Sequence, residues 1–223
     1  MSNFQYTRPA SNFPPATRNL IMINVLVWVA QLLYDPRYNL TAKIGLWPIN
    51  SPNFKPYQII THMFAHSAYN TNIFGEPTGS PIFYHILFNM FMLWMFGRIL
   101  ENVWGPKRFT IFYLICGLGA AAAHLIMQYI MGGSELAVGA SGAIFGVLVA
   151  FGVTFPNTEL YIMFIPIPVK AKWAILGLVA LDLFGGISQI SGDNIAHFAH
   201  LGGALTGFIL LKIWNKTNRR TLY

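Results

Sequence analysis

Ser141 stands in the apolar run Gly139-Ala140-Ser141-Gly142-Ala143-Ile144-Phe145-Gly146, where packing residues would be expected alone. Two other apolar runs carry polar groups of a matching kind, Tyr84-His85-Ile86-Leu87-Phe88-Asn89 and Ala199-His200-Leu201-Gly202-Gly203. If these runs cross a membrane, a serine, two histidines and an asparagine inside them cost free energy, and each marks a candidate functional site. The chemistry such a set could do is acyl transfer. His200 would take the Ser141 proton and return it to a leaving amine. The developing oxyanion needs donors already in place. The Ser141 N–H near a helix N-terminus is one candidate, and the side chains of His85 and Asn89 are the others.

The elements that must position these groups are membrane spans. The chain has 223 residues, of which 9% are charged, and a mean hydropathy of +0.50. A soluble domain would carry about 25% charged residues. Six apolar segments, at 18–34, 82–103, 109–131, 136–155, 173–190 and 195–214, approach the length of about 20 residues that crosses a bilayer core. Helices satisfy their own backbone groups in lipid, so the predicted fold is an all-α membrane bundle of six transmembrane helices. The expected organisation is a flexible cytoplasmic tail at 1–17, one six-span domain at 18–214 and a short cytoplasmic tail at 215–223. The first 17 residues are polar and include Pro9, Pro14 and Pro15, so no cleavable signal peptide is expected. The net charge of +7 sits in short loops between spans, which fits membrane topology rather than a nucleic-acid partner.

Eleven of the fourteen lysines and arginines fall on one side of this arrangement, and only Arg37, Lys43 and Lys55 on the other. The positive-inside rule then puts both termini in the cytoplasm. The second, fourth and sixth spans run from outside to inside, and His85, Ser141 and His200 all lie near their outer ends. Ser141, about five residues into its span, would sit about 7.5 Å along the axis. Asn89 lies one turn below His85 on the same helix face. The long connection from Asp35 to Ser80 holds Trp47, Phe54, Tyr57, Phe64, Tyr69 and Phe74, and is expected to be a structured, partly embedded external loop. Asn70–Ser80 is rich in turn formers and is expected at its exposed edge. Ile162–Pro168 is apolar but too short to span, and is expected at the inner interface.

Gly142 and Gly146 form one G-x-x-x-G pair, and Gly203 and Gly207 another. Packing of the fourth and sixth spans through these faces would bring Ser141 to His200. Other polar residues read as structural. Cys116 is expected to be a buried small side chain. His62, His66 and His124 are expected to make structural hydrogen bonds, with His66 tying down the long loop. Asp182 reads as a structural polar contact, although it is the carboxylate best placed to serve as a triad acid. Glu101 is expected to cap a neighbouring helix or loop. His197 and His200 form H-x-x-H, but no H-E-x-x-H occurs and carboxylates are scarce nearby, so no metal is expected.

In order and spacing, these motifs resemble the rhomboid family of intramembrane serine proteases. The resemblance rests on Gly139-Ala140-Ser141-Gly142, Ala199-His200-Leu201-Gly202-Gly203 and His85-x-x-x-Asn89. Gly97-Arg98-x-x-Glu101 and Tyr57-Gln58-x-x-Thr61-x-x-Phe64-x-His66 support it. It implies Ser141 as nucleophile and His200 as base in a dyad, with His85, Asn89 and the Ser141 amide binding the oxyanion. Gly139 and Phe145 would support the site, the Phe145 ring stacking on the catalytic imidazole. Eighteen residues separate His66 from His85, where the family often has a much shorter stretch, so an insertion rich in Asn, Gly and Pro is implied. A Trp-Arg pair found in some members is Tyr57-Gln58 here.

The implied function is a serine endopeptidase that cuts transmembrane segments of membrane proteins in the lipid bilayer, with no cofactor. The oligomeric state is left open, and short loops without a targeting segment favour a bacterial inner membrane. Two other classes compete. A catalytically silent relative that binds membrane-protein clients would not need both Ser141 and His200. A channel or transporter would carry polar groups through the whole depth of the bundle rather than near one face.

Overall fold

The computed structural model describes residues 10–71, 77–161, 167–188 and 194–217. Helix α1 runs Pro15–Tyr38, and a short α2, Leu40–Ile44, follows it. Pro15 opens α1 at its first position, where a missing N–H costs nothing. Helix α3, Gln58–Thr61, continues into a single 3₁₀ turn at His62–Phe64. Strands β1, Tyr69–Thr71, and β2, Pro77–Pro81, pair antiparallel. The next long helix, Tyr84–Trp104, consists of α4 (Tyr84–Met92), a π-helical turn at Leu93–Gly97 and α5 (Arg98–Trp104). Helix α6 is Pro106–Met131 and α7 is Ser141–Thr154. A two-residue hairpin of β3 (Glu159–Leu160) and β4 (Val169–Lys170) leads to α8, Ala171–Ser188. Helix α9 is Asn194–Thr217.

Among the described residues, four helices are long and apolar enough to cross a membrane, at Pro15–Tyr38, Tyr84–Trp104, Pro106–Met131 and Ala196–Asn215. The chain is a membrane protein on that count. Helices α7 and α8 coincide with the remaining two predicted spans, but six spans are more than this measure supports. With 14 residues, α7 is about 21 Å long, about 9 Å less than a bilayer core. It also begins later than expected. Residues 136–140 are not helical, because Leu46 and Ala137 form an antiparallel bridge and Gly139 has φ +131°, outside the helical region. Ser141 is therefore the first residue of its helix rather than the sixth.

Helices α6, α7 and α9 pack closely at the centre. The two G-x-x-x-G pairs meet as expected. A Cβ on Gly203 would collide with the Gly142 backbone, and one on Gly207 with that of Gly146. Cys116 is fully buried, and its sulfur occupies the space a side chain at Gly146 would need. Leu26, Leu87, Leu181 and Phe184 are exposed on the outside of the bundle, as side chains facing lipid would be.

Polar residues on α1 tie the surrounding pieces together. Thr17, Asn24 and Gln31 are all buried and recur every seven residues on one helix face. Glu101 caps α1, as expected: its carboxylate accepts from Ala16 N–H at 2.8 Å, Thr17 N–H at 2.6 Å and the Thr17 hydroxyl at 2.8 Å. Residues 11–14, expected to be tail, are already placed against α5. Ser11 exchanges hydrogen bonds with the Asn102 side chain, and Asn12 accepts from Arg98 and Trp94. The expectation for Ile162–Pro168 falls mainly on 162–166, and these residues, the first nine, 72–76 of the Asn70–Ser80 stretch and 218–223 of the expected C-terminal tail lie outside the described residues.

Candidate active site

The long loop carries the floor on which His85 rests. Gln31 of α1 grips the His66 backbone from both sides, accepting from its N–H at 2.9 Å and donating to its carbonyl at 2.7 Å. Asn24 donates its amide to the Leu20 carbonyl, so its oxygen faces His66 and accepts from Nε2–H at 2.8 Å. Burial without a charge partner pushes His66 down to about 3 and His62 down to about 4. Both rings are therefore neutral. His62 donates Nδ1–H to the Gln58 carbonyl at 2.9 Å, while its own carbonyl accepts from Gly139 N–H at 3.0 Å. The expectation that His66 ties down the loop holds.

His85, the second residue of α4, packs edge-on against the His66 ring. Its Nδ1 accepts from Ser67 N–H at 3.0 Å, which leaves the proton on Nε2. That N–H points toward Gly139. A Cβ there would sit 3.3 Å from His85 Nε2 and 3.5 Å from Ser141 Oγ, so the missing side chain keeps open the space between donor and serine. Asn89 donates one amide proton to the His85 carbonyl at 2.8 Å and keeps a second. It lines the same cavity of about 430 Å³ as His85, Ser141 and His200. The backbone N–H groups of the first turn of α7 have no partners inside the helix. Three sets of donors thus surround one volume beside Ser141.

Ser141 Oγ lies 2.8 Å from His200 Nε2. The two helices can come this close because glycines face each other directly below. Phe145, one turn further along α7, lies flat on the imidazole, with ring centroids 4.4 Å apart and planes 5° apart. His200 Nδ1 is 3.1 Å from Asp182 Oδ1 of α8, and His197 Nδ1 is 2.7 Å from the same oxygen. Asp182 is thus a polar contact, as expected, but one made to the candidate base itself. Sequence spacing hinted at this only weakly, because α8 and α9 come together through Gly185 and Gly186, which sit against His197 and Phe198. Ligand atoms of Asp182, His197 and His200 all lie within 4.8 Å of one another, so these three are the described residues whose donor set could hold a divalent ion.

The six residues singled out in the sequence, Gly139, Ser141, Phe145, His85, Asn89 and His200, therefore converge on one end of one bundle. A profile of the rhomboid domain matches residues 82–216, a stretch that contains all six. The chain belongs to the rhomboid family. It is 34% identical over 125 residues to the presenilin-associated rhomboid-like protein, mitochondrial, of Rattus norvegicus, covering 56% of this chain and 33% of that protein. It is 27% identical over 216 residues to rhomboid protein 1, mitochondrial, of Saccharomyces cerevisiae, covering 92% and 56%. It is 30% identical over 207 residues to rhomboid-like protein 11, chloroplastic, of Arabidopsis thaliana, covering 88% and 64%. The chain thus spans from a third to just under two thirds of the length of these relatives. Their names are mitochondrial and chloroplastic, so the expectation of a bacterial inner membrane is not borne out.

Proposed function

We propose that this chain is an intramembrane serine endopeptidase that cleaves transmembrane segments of other membrane proteins. The observation that carries the reading is the 2.8 Å approach of Ser141 Oγ to His200 Nε2 beside a cavity ringed with donors. Ser141 is the nucleophile. Its proton passes to His200 as Oγ attacks the substrate carbonyl carbon, and His200 returns it to the leaving amine. His85 Nε2–H, the Asn89 amide and the N–H groups opening α7 bind the oxyanion. Water then enters the same cavity and attacks the acyl carbonyl as His200 accepts its proton, and the Oγ–acyl bond breaks as His200 returns that proton to Ser141 Oγ. The reaction draws on side chains, the backbone N–H groups opening α7 and water.

The short α7 supports a reaction below the membrane surface. If its far end reaches the inner edge of the core, Ser141 sits about 9 Å below the outer edge. A substrate helix must unwind to present an extended peptide there, so small residues near the scissile bond are favoured. The basic residues flanking both termini put those termini on the inner side and the site near the outer face.

The test is covalent labelling by a fluorophosphonate together with cleavage of a transmembrane substrate in liposomes. The parent should do both, and Ser141→Ala neither, while remaining folded. Appreciable cleavage by Ser141→Ala would sink the nucleophile assignment. A parent that neither labels nor cleaves would point to the client-binding class instead.

A further inference from the structure

We propose that Asp182 is a positioning residue for the reaction, the acid of a Ser141–His200–Asp182 triad built from α7, α9 and α8. The inference rests on the serine-protease reading above and adds a third group to its dyad.

The argument begins with the cost of the carboxylate. Asp182 is only 9% exposed, in an apolar helix, where an ionisable group is expensive and faces a partner. Its Oδ1 meets two imidazole nitrogens, His197 Nδ1 at 2.7 Å and His200 Nδ1 at 3.1 Å. A carboxylate oxygen accepts from both only if both Nδ1 atoms carry protons. For His200 that choice fixes the other nitrogen. With the proton on Nδ1, Nε2 holds a lone pair, and this is the atom 2.8 Å from Ser141 Oγ. The opposite tautomer would aim a lone pair at Asp182 and an N–H at the serine, and could accept no proton from it. Asp182 thus selects the tautomer that acts as a base.

The contact also serves the next state. When Ser141 Oγ bonds to the substrate carbonyl carbon, its proton moves to Nε2 and the ring becomes imidazolium. The Nδ1 proton stays in place, and the positive ring then faces an anionic carboxylate. No proton moves to Asp182. His197 and the Gly185–Gly186 pair hold the acid where it is needed. A Cβ at Gly185 would come 2.7 Å from His197 Nε2, so the glycine lets α9 approach α8 closely enough for both histidines to reach one oxygen.

The experiment compares the full-length parent, Asp182→Asn and Asp182→Glu in liposomes with a transmembrane substrate. Asp182→Asn should lower kcat by about 10- to 1,000-fold, less than the roughly 10⁴-fold known for soluble triads because Phe145 also orients the ring. KM should stay within about twofold, since the group acts on the transition state. Asp182→Glu should recover part of the loss. A folded Asp182→Asn with parental kcat, or with a raised KM alone, overturns the proposal and leaves the dyad intact. Should Asp182→Asn fail to fold, the ¹⁵N-histidine spectrum of the parent decides, with the His200 signals assigned against His200→Gln. Neutral His200 protonated on Nδ1 supports the role, and protonation on Nε2 overturns it. Loss of parental activity in EDTA that added zinc restores would make Asp182 a metal ligand and overturn it as well. A parent inactive in every assay refutes the protease reading itself.

Discussion

The Phe145 ring lies parallel to the His200 imidazole, 4.4 Å away and tilted by 5°. Because the two residues sit on different helices, this contact transmits the α7–α9 packing directly to the ring that faces Ser141. It also gives the imidazolium an aromatic face when it forms. Phe145→Ala should lower kcat roughly two- to tenfold, the equivalent of a stacking contact worth about 0.5–1.5 kcal/mol. Steady-state kinetics in liposomes would show it. Parental kcat in a folded Phe145→Ala would mean that the ring does not hold the base.

His85 and Asn89 face the same volume beside Gly139, so their losses should compound. Removing one oxyanion donor can cost about 2.7–4 kcal/mol, a hundred- to thousandfold in rate. Asn89→Ala alone should fall below that range, because His85 Nε2–H and the backbone donors persist. The double variant His85→Ala/Asn89→Ala should lose at least about a hundredfold in kcat. An unchanged rate in the double variant rejects this oxyanion site.

Gly203 touches the Gly142 backbone so closely that no Cβ fits between them. Overpacking a well-fitted contact costs about 1–3 kcal/mol, and here the neighbour is backbone that cannot rotate away. Gly203→Val should therefore lower the unfolding temperature and abolish activity by moving His200 off Ser141. Gly177, with nothing near its missing Cβ, is the control: Gly177→Ala should change neither. Equal thermal stability of Gly203→Val and the parent, measured in the same detergent, would contradict the close packing.

Much of this site could be read from the sequence because its residues obey rules of composition. A polar side chain in an apolar run is conspicuous, so Ser141, His85, Asn89 and His200 stood out at once. Glycines four apart named the α7–α9 contact, and Glu101 near the inner end of its span suggested a cap. Other features depend on how distant pieces meet. The Asp182–His200 contact requires the path of α8, which neither its composition nor its spacing specifies. The start of α7 at Ser141 depends on the bridge between Leu46 and Ala137, a pairing across about ninety positions of chain. Thr17, Asn24 and Gln31 were not singled out in the sequence, because their partners, Glu101 for the first and His66 for the other two, lie far along the chain.

His66 makes a prediction about acid. It is fully buried, held by Gln31 and Asn24, and pushed down to about 3, while His62 is pushed down to about 4. In the unfolded chain both would bind protons below their ordinary value of 6.5. Between pH 6.5 and about 4 the unfolded state therefore holds more protons than the native one. Stability is full above 6.5 and falls as the pH drops, at up to about 1.4 kcal/mol per pH unit for each histidine. Ordinary carboxylates are already ionised above about pH 5, so the upper part of this window reports histidines. Denaturation followed from pH 7 to pH 4 in mild detergent should show the decline. His66→Gln, which keeps a donor for Asn24 but cannot titrate, should be less stable at pH 7 and have a shallower slope. A parent whose stability stays flat across this window, or a His66→Gln slope as steep as the parent's, would show that His66 is not held neutral against the loop.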